Sequence, residues 1–113
     1  MADWIALCPL SALPEGHSKS VDIHTNSQPL ALVLVHKNGK IVGYHNQCPH
    51  LGIRLEWQPD QFLDIDGYFI QCASHAALFN IHDGHCIAGP CVGRYLDAIS
   101  IDIRDGMIGM QLP

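Results

Sequence analysis

The chain reads as an all-β protein, a sandwich or barrel of short strands, on three observations. Asx-Gly pairs recur at Asn38-Gly39, Asp66-Gly67, Asp83-Gly84 and Asp105-Gly106. Each reads as a two-residue hairpin turn, because both central residues tolerate positive φ. Ile99, Ile101 and Ile103 alternate with Ser100, Asp102 and Arg104, the period of a strand with one buried and one wet face. No stretch carries the period of an amphipathic helix.

The elements follow in order. Ile5–Leu13 gives a first strand and turn. It has the length of a signal-peptide apolar core, but Asp3 precedes it, no Lys or Arg does, and Pro9 sits inside it. A cytoplasmic location is therefore expected. Pro14-Glu15-Gly16 and Gln28-Pro29 are loops. Leu30–Val35 and Ile41–Tyr44 flank Asn38-Gly39 as the arms of a hairpin. Gln58–Asp66 has the weakest pattern. Tyr68–Gln71 is a strand, and Leu78–Ile81 and Cys86–Ala88 flank Asp83-Gly84. Ile99–Arg104 turns at Asp105-Gly106 into a return strand bearing Met107, Ile108 and Met110.

Composition bounds the function. A chain of 113 residues and 12.4 kDa is one domain by size, and 48% hydrophobic against 15% charged residues excludes disorder. The longest continuous apolar run, Leu30–Val35, is far too short to span a bilayer as a helix. Six Lys and Arg against eleven Asp and Glu leave a net charge of −5 with no basic stripe. Neither nucleic acid nor membrane is therefore an expected partner, and an acidic protein of this size suits a basic patch on another protein.

The chemistry lies in Cys and His. There are five Cys and eight His. An odd cysteine count in a chain read as cytoplasmic points to thiol or metal chemistry rather than a disulfide framework. Two pairs stand out, Cys48-Pro49-His50 and Cys72-Ala73-Ser74-His75, each on a loop leaving a strand and separated by residues 51–71. Two thiolates and two imidazoles suit either tetrahedral zinc or a [2Fe–2S] cluster. Zinc sites favour paired thiolates on one knuckle. One Cys and one His from each loop fit a two-iron cluster, with both Cys on one iron and both His on the other.

These residues resemble the Rieske family, in which Cys-x-His is followed after a spacer by Cys-x-x-His. The resemblance runs from Trp4 to the C-terminus. It includes Leu51-Gly52 after the first pair and Ala77-Leu78-Phe79 after the second. It also includes Gly89-Pro90 in the place of the family's proline-bearing covering loop, and the opening Trp4–Gly16, which looks like that of small Rieske ferredoxins. The resemblance implies an all-β, Rieske-type fold of small antiparallel sheets with a cluster-binding subdomain, about residues 47–92, at one tip of the single 1–113 domain. It implies one [2Fe–2S] cluster per chain, bound by Cys48, His50, Cys72 and His75. Some positions depart from the family pattern: the spacer is long, Ala73 and Ala76 replace Pro and Gly, and Ile53 and Ser74 stand where respiratory members carry a second Cys pair. Those high-potential members also carry Ser and Tyr two and four residues after the second His. The corresponding residues here, Ala77 and Phe79, have no hydroxyl, so a low potential is expected.

The implied function is one-electron transfer as a stand-alone ferredoxin between a flavin-dependent reductase and a terminal oxygenase. The chain is expected to be a component of an oxidoreductase system, too short to be an oxygenase itself and without catalytic residues of its own. Alternatives are the small subunit of an NAD(P)H-dependent nitrite reductase, an iron–sulfur redox sensor, and a structural zinc domain. Other reactive residues have plainer readings. Cys8 is a packing residue. Cys86 and Cys91 are small buried hydrophobes, with a disulfide across Gly89-Pro90, or a redox or ligand role with Cys91 near the cluster, as the alternatives. His82, Asp83 and His85 form a solvated hairpin end rather than an iron site. His17, His24, His36 and His45 are surface or hydrogen-bonded, and Trp57 is read as core, with an exposed aromatic serving docking as the alternative.

Overall fold

The computed structural model describes residues 4–24, 29–47, 49, 55, 60–64, 66–72 and 77–111. The strands are β1 (Trp4–Pro9), β2 (Ser18–His24), β3 (Pro29–Lys37), β4 (Lys40–His45), β5 (Phe69–Gln71), β6 (Leu78–Asn80), β7 (Cys86–Ala88), β8 (Ala98–Ile99), β9 (Ile101–Arg104) and β10 (Met107–Gln111). A single 3₁₀ turn, Leu10–Ala12, is the only helical element among the described residues. All strand pairs are antiparallel, in three sheets ordered β1-β10-β9, β2-β3-β4-β8 and β5-β6-β7.

Strand β3 sets the layout. Leu32, Val33, Leu34 and Val35 are all fully buried. Leu32 and Leu34 pack with Cys8, Leu13, Val21, Ile108 and Met110. Val33 and Val35 pack on the other face with Tyr44, Leu55, Phe62, Ile70, Cys72, Phe79, Cys86 and Cys91. An unbroken aliphatic run is what a strand covered on both faces requires.

The turns divide into two kinds. Asn38 and Gly39 have φ of 55° and 75°, and Asp105 and Gly106 have 51° and 77°. Both pairs close two-residue hairpins, with Lys37 opposite Lys40 and Arg104 opposite Met107. The Glu15 carboxylate receives the Asn38 and Gly39 amides at 2.9 and 2.7 Å, and these bonds hold its pKa below the usual value. The other two sites correct the two-residue expectation. Residues 81–83 make a wider turn, in which the Gly84 amide bonds to the Asn80 carbonyl at 2.9 Å and Gly84 alone takes positive φ. At Asp66-Gly67, the Gly67 amide bonds to the Asp64 carbonyl, and the Asp64 side chain accepts from Tyr68 and Phe69.

Two further features differ from expectation. Strand β2 has only Val21 and Ile23 as large apolar residues, and its partner β3 supplies most of the shared burial. The Ile99–Arg104 segment is not one strand. β8 pairs with β4, Ser100 breaks the run, and β9 pairs with β10, so the chain changes sheet there. Gly43 faces this crossing, where a Cβ would sit 2.8 Å from both Ile99 and Ile101. Ile103, at the sheet edge, is 45% exposed.

The long segment between the two Cys/His pairs is fastened to β2 by Asp60. Its carboxylate accepts the Ser20 amide at 2.7 Å and the Ser20 hydroxyl at 2.9 Å. The Ser18 hydroxyl donates to the Asp60 carbonyl at 2.8 Å. These contacts cover the strand edge that β3 does not pair, where open backbone groups would otherwise face solvent. Asp60 takes φ of 60°, a left-handed conformation that Asp and Asn tolerate. The Ser20 amide is the main cause that holds its pKa below 3.8. A depressed carboxylate pKa adds stability that is complete above 3.8 and is lost as the pH falls through the folded value. The Asp60→Asn variant keeps the left-handed preference and an acceptor oxygen but loses the charge. Chemical denaturation should therefore find it less stable than wild type at neutral pH, with the gap closing as the pH falls below 3.8.

Candidate functional site

Two loops were expected to carry the site, one after β4 and one after β5. Strand β4 ends where the chain is tied down repeatedly. The His45 amide bonds to the Asp97 carbonyl and the Asn46 amide to the Ala31 carbonyl, each at 2.8 Å. Asn46 is the one buried polar residue among those described, at 4% exposure, and its Oδ1 accepts the Leu55 amide at 2.8 Å. One side chain thus joins the two ends of the loop that contains Cys48 and His50. Leu55 itself is fully buried.

The second loop is closed by backbone. Cys72 follows β5, is fully buried, and donates its amide to the Ala77 carbonyl at 2.9 Å. Its thiol lies in the apolar cluster formed under the three-stranded β5-β6-β7 sheet. Of the four expected ligands, Cys72 is described at this position, while Cys48, His50 and His75 lie outside the described residues. Trp57 lies outside them as well. Two loops pinned at their bases, one opening on a buried thiol and both supplying a Cys and a His in sequence, are a donor set that fits an iron–sulfur cluster.

A third loop, after β7, braces the other two. Gly89, at φ 97°, lies against Ala77, where a Cβ would come within 2.8 Å of the Ala77 Cα. The Arg94 guanidinium donates to the Pro49 carbonyl at 2.9 Å, between Cys48 and His50 in the chain. Beneath these loops, the Tyr44 hydroxyl donates to the Ile81 carbonyl at 2.5 Å, linking β4 to the β6–β7 turn. Burial, assisted by the Asp83 charge, pushes the Tyr44 pKa up to about 12.

The remaining residues take structural roles. Asp83 accepts the His85 amide at 2.8 Å, and the His85 ring stacks on Tyr95 at 4.7 Å. Among the described residues, no group of three metal-ligating side chains occurs, and His82, Asp83 and His85 do not form one. His36 Nδ1 donates to the Leu13 carbonyl at 2.9 Å and His17 Nδ1 to that of Glu15 at 3.2 Å. Cys8 is buried in the leucine-rich core, where burial raises its pKa. Cys86 and Cys91 are buried as expected, but their sulfurs are 3.1 Å apart. No helix among the described residues is long and apolar enough to cross a membrane.

A buried thiol and two closed loops on three small antiparallel sheets suit an iron–sulfur electron-transfer domain. The family model for the Rieske [2Fe-2S] domain matches residues 3–103, and the chain belongs to this family. It therefore carries a [2Fe–2S] cluster and works in one-electron transfer. Among proteins it resembles is the ferredoxin component of the p-cumate 2,3-dioxygenase system of Pseudomonas putida, 28% identical over 91 residues that make up 80% of this chain and 71% of that protein. Among solved structures, the Sphingomonas yanoikuyae B1 ferredoxin aligns with a TM-score of 0.77 and 24% identity, covering 98% of this chain and 100% of that one. The ferredoxin of carbazole 1,9a-dioxygenase from Nocardioides aromaticivorans IC177 aligns with a TM-score of 0.73 and 18% identity, covering 97% of each chain. These last two are likenesses of fold.

Asn46, Arg94 and Asp60 escaped the sequence reading, because each acts on a backbone group distant in sequence. Asn46→Ala leaves the buried Leu55 amide without its acceptor, at a cost of about 1–3 kcal/mol. Thermal melting of the variant should shift down, and iron per chain after gel filtration should fall below wild type. Wild-type melting with full iron content would show that Asn46 does not hold this loop.

Proposed function

We propose that the chain is a ferredoxin that carries single electrons from a flavin-dependent reductase to a terminal oxygenase, in the cytoplasm. Cys48 and Cys72 would hold one iron of its cluster, and His50 and His75 the other, within a cluster-binding subdomain of about residues 47–92 in a single 1–113 domain. The observation that carries this reading is Cys72. It is a fully buried thiol at the closed base of a Cys-x-x-His loop, with the Cys-x-His loop tied by Asn46 and Arg94. The relative from the p-cumate system supports an oxygenase as acceptor.

The cluster supplies one reversible electron. The chain's own residues hold it and set its surroundings. Asn46 and the Cys72–Ala77 bond fix the loop bases, Arg94 fixes the first loop against the third, and the apolar cluster around Cys72 excludes water from the thiolate side. The net charge of −5 favours a basic patch on a partner.

Purified protein should contain two irons and two acid-labile sulfides per chain, as a [2Fe–2S] centre requires. Cys48→Ser, Cys72→Ser, His50→Ala and His75→Ala should each lower that content strongly. One zinc and no sulfide, or full cluster in any of the four variants, would sink the ligand assignment.

The potential should be low. Rieske centres span about −150 to +300 mV, and hydrogen bonds to the sulfurs are one of the levers. A donor aimed at sulfur stabilises the added electron. Ala77 and Phe79 are fully buried beside Cys72 in the same apolar cluster, and neither side chain can donate. Voltammetry should place the wild type toward the lower end of that range. Ala77→Ser and Phe79→Tyr should each raise it. A wild-type value near the top of the range, or no rise in either variant, contradicts the expectation.

A further inference from the structure

Cys86 and Cys91 are not among the ligands assigned above, yet they are the one pair of sulfurs in contact among the described residues. Among the described residues, Cys86 makes its side-chain contacts within its own turn. Its thiol donates to the Ala88 carbonyl at 3.2 Å, and the Cys91 sulfur lies 3.1 Å away. Both side chains are fully buried, at 0% and 1%. A disulfide has an S–S length of about 2.05 Å, so bonding would need the sulfurs to approach by only about 1 Å.

The backbone holds them in this position. The Cys86 amide bonds to the Arg94 carbonyl at 2.8 Å, the Gly93 amide to the Cys86 carbonyl at 3.3 Å, and the Arg94 amide to the Cys91 carbonyl at 2.9 Å. Residues 86–94 therefore form a closed loop before any covalent bond exists. Its outer turn is exposed at Gly89, Pro90, Val92 and Gly93, and the bond across it, Val92 amide to Gly89 carbonyl, is long at 3.4 Å. A turn with so little cover opens locally at far lower cost than the whole fold, and such opening admits a small reagent to both thiols. Cys8, by contrast, lies in the separate leucine-rich core.

We propose that Cys86 and Cys91 form a reversible dithiol/disulfide couple that exchanges with a small-molecule disulfide such as oxidised glutathione. The thiolate of one cysteine forms a bond to one glutathione sulfur. The glutathione S–S bond breaks, and its other sulfur leaves as a thiolate and takes up a proton. The second cysteine, as thiolate, then attacks the mixed disulfide at the protein sulfur and releases the second glutathione thiolate, which is protonated in turn. The two cysteines lose two electrons and two protons, and oxidised glutathione gains both. This two-electron site is chemically separate from the one-electron centre. It sits in the loop whose Gly89 presses on Ala77, the residue that closes the Cys72 loop.

The test uses the wild-type holoprotein, with the cluster followed by its visible absorption. Samples are equilibrated without oxygen in buffers of rising oxidised-to-reduced glutathione ratio, quenched in acid, alkylated with N-ethylmaleimide and mapped by tandem mass spectrometry. Cys86 and Cys91 should lose alkylation together, in a species lighter by two hydrogens, before the cluster bleaches. Dithiothreitol should restore both thiols. Full alkylation of both at every ratio, a glutathione adduct as the only product, or a bond from either residue to Cys48 or Cys72 would overturn the proposal.

Discussion

Four consecutive side chains of β3, Leu32 to Val35, are shut away from water on both faces of one sheet, and the rest of the molecule is arranged to cover them. Each such side chain contributes about 1.5–3 kcal/mol on burial. One face needs the β1-β10-β9 sheet, and the other needs the β5-β6-β7 sheet that underlies the site. A strand apolar on both faces cannot set its own register by polarity, because a one-residue slip only exchanges leucines for valines. The neighbouring turn sets it instead. Asn38 and Gly39 fix Lys37 opposite Lys40, and Glu15 holds the turn amides.

The site is attached to this core by a few polar bonds. Tyr44 reaches from β4 to Ile81, Asn46 from the end of β4 to Leu55, and Asp60 from the long segment to β2. Hydrogen bonds of this kind add little net stability each, but the buried ones of Tyr44 and Asn46 are expensive to break. They turn approximate apolar packing into fixed loop positions. Arg94 then sets the third loop against the first from the solvent side. The ligand-bearing loops thus hang from rigid elements, which keeps side chains aimed at a common point.

Most of the strands were legible from local pattern. Asn38-Gly39 and Asp105-Gly106 carry their turn type in their own residues, and Cys86–Ala88 is a strand where its place after Asp83-Gly84 puts it. Three things were not legible, each because a distant group decides it. The β2 segment has too few apolar residues to announce a strand, and β3 makes it one. Asp83-Gly84 has the residues of a tight hairpin, but the approach of Gly84 to Tyr44 and Leu96 accompanies a wider turn. The break at Ser100 exists because the sheets on either side claim different halves of an unbroken alternating run. In the site, the Cys and His spacing pointed to the cluster. The supporting residues Asn46, Asp60 and Arg94 have no local signature, since their partners are carbonyls and amides that only the fold brings near. The contact between Cys86 and Cys91 was likewise undecidable from spacing, because four intervening residues fit a buried pair or a bonded one equally well.

The pairing of β1 with β10 has a consequence for the order in which the molecule comes together. Trp4 lies opposite Gln111, so the first described strand waits for the last before its backbone is satisfied on that side. Contacts that span so much of a chain slow folding, because loop-closure entropy is spent before the contact rewards it. The β2, β3 and β4 hairpins, by contrast, join segments close in sequence. Cys8 and Ile5 are covered, and the leucine-rich core is complete, only once Ile108 and Met110 are in place. The β5-β6-β7 sheet beneath the site is made of neighbouring hairpins and needs no such wait. Its strands can therefore pair while the opposite side of β3 is still open to solvent.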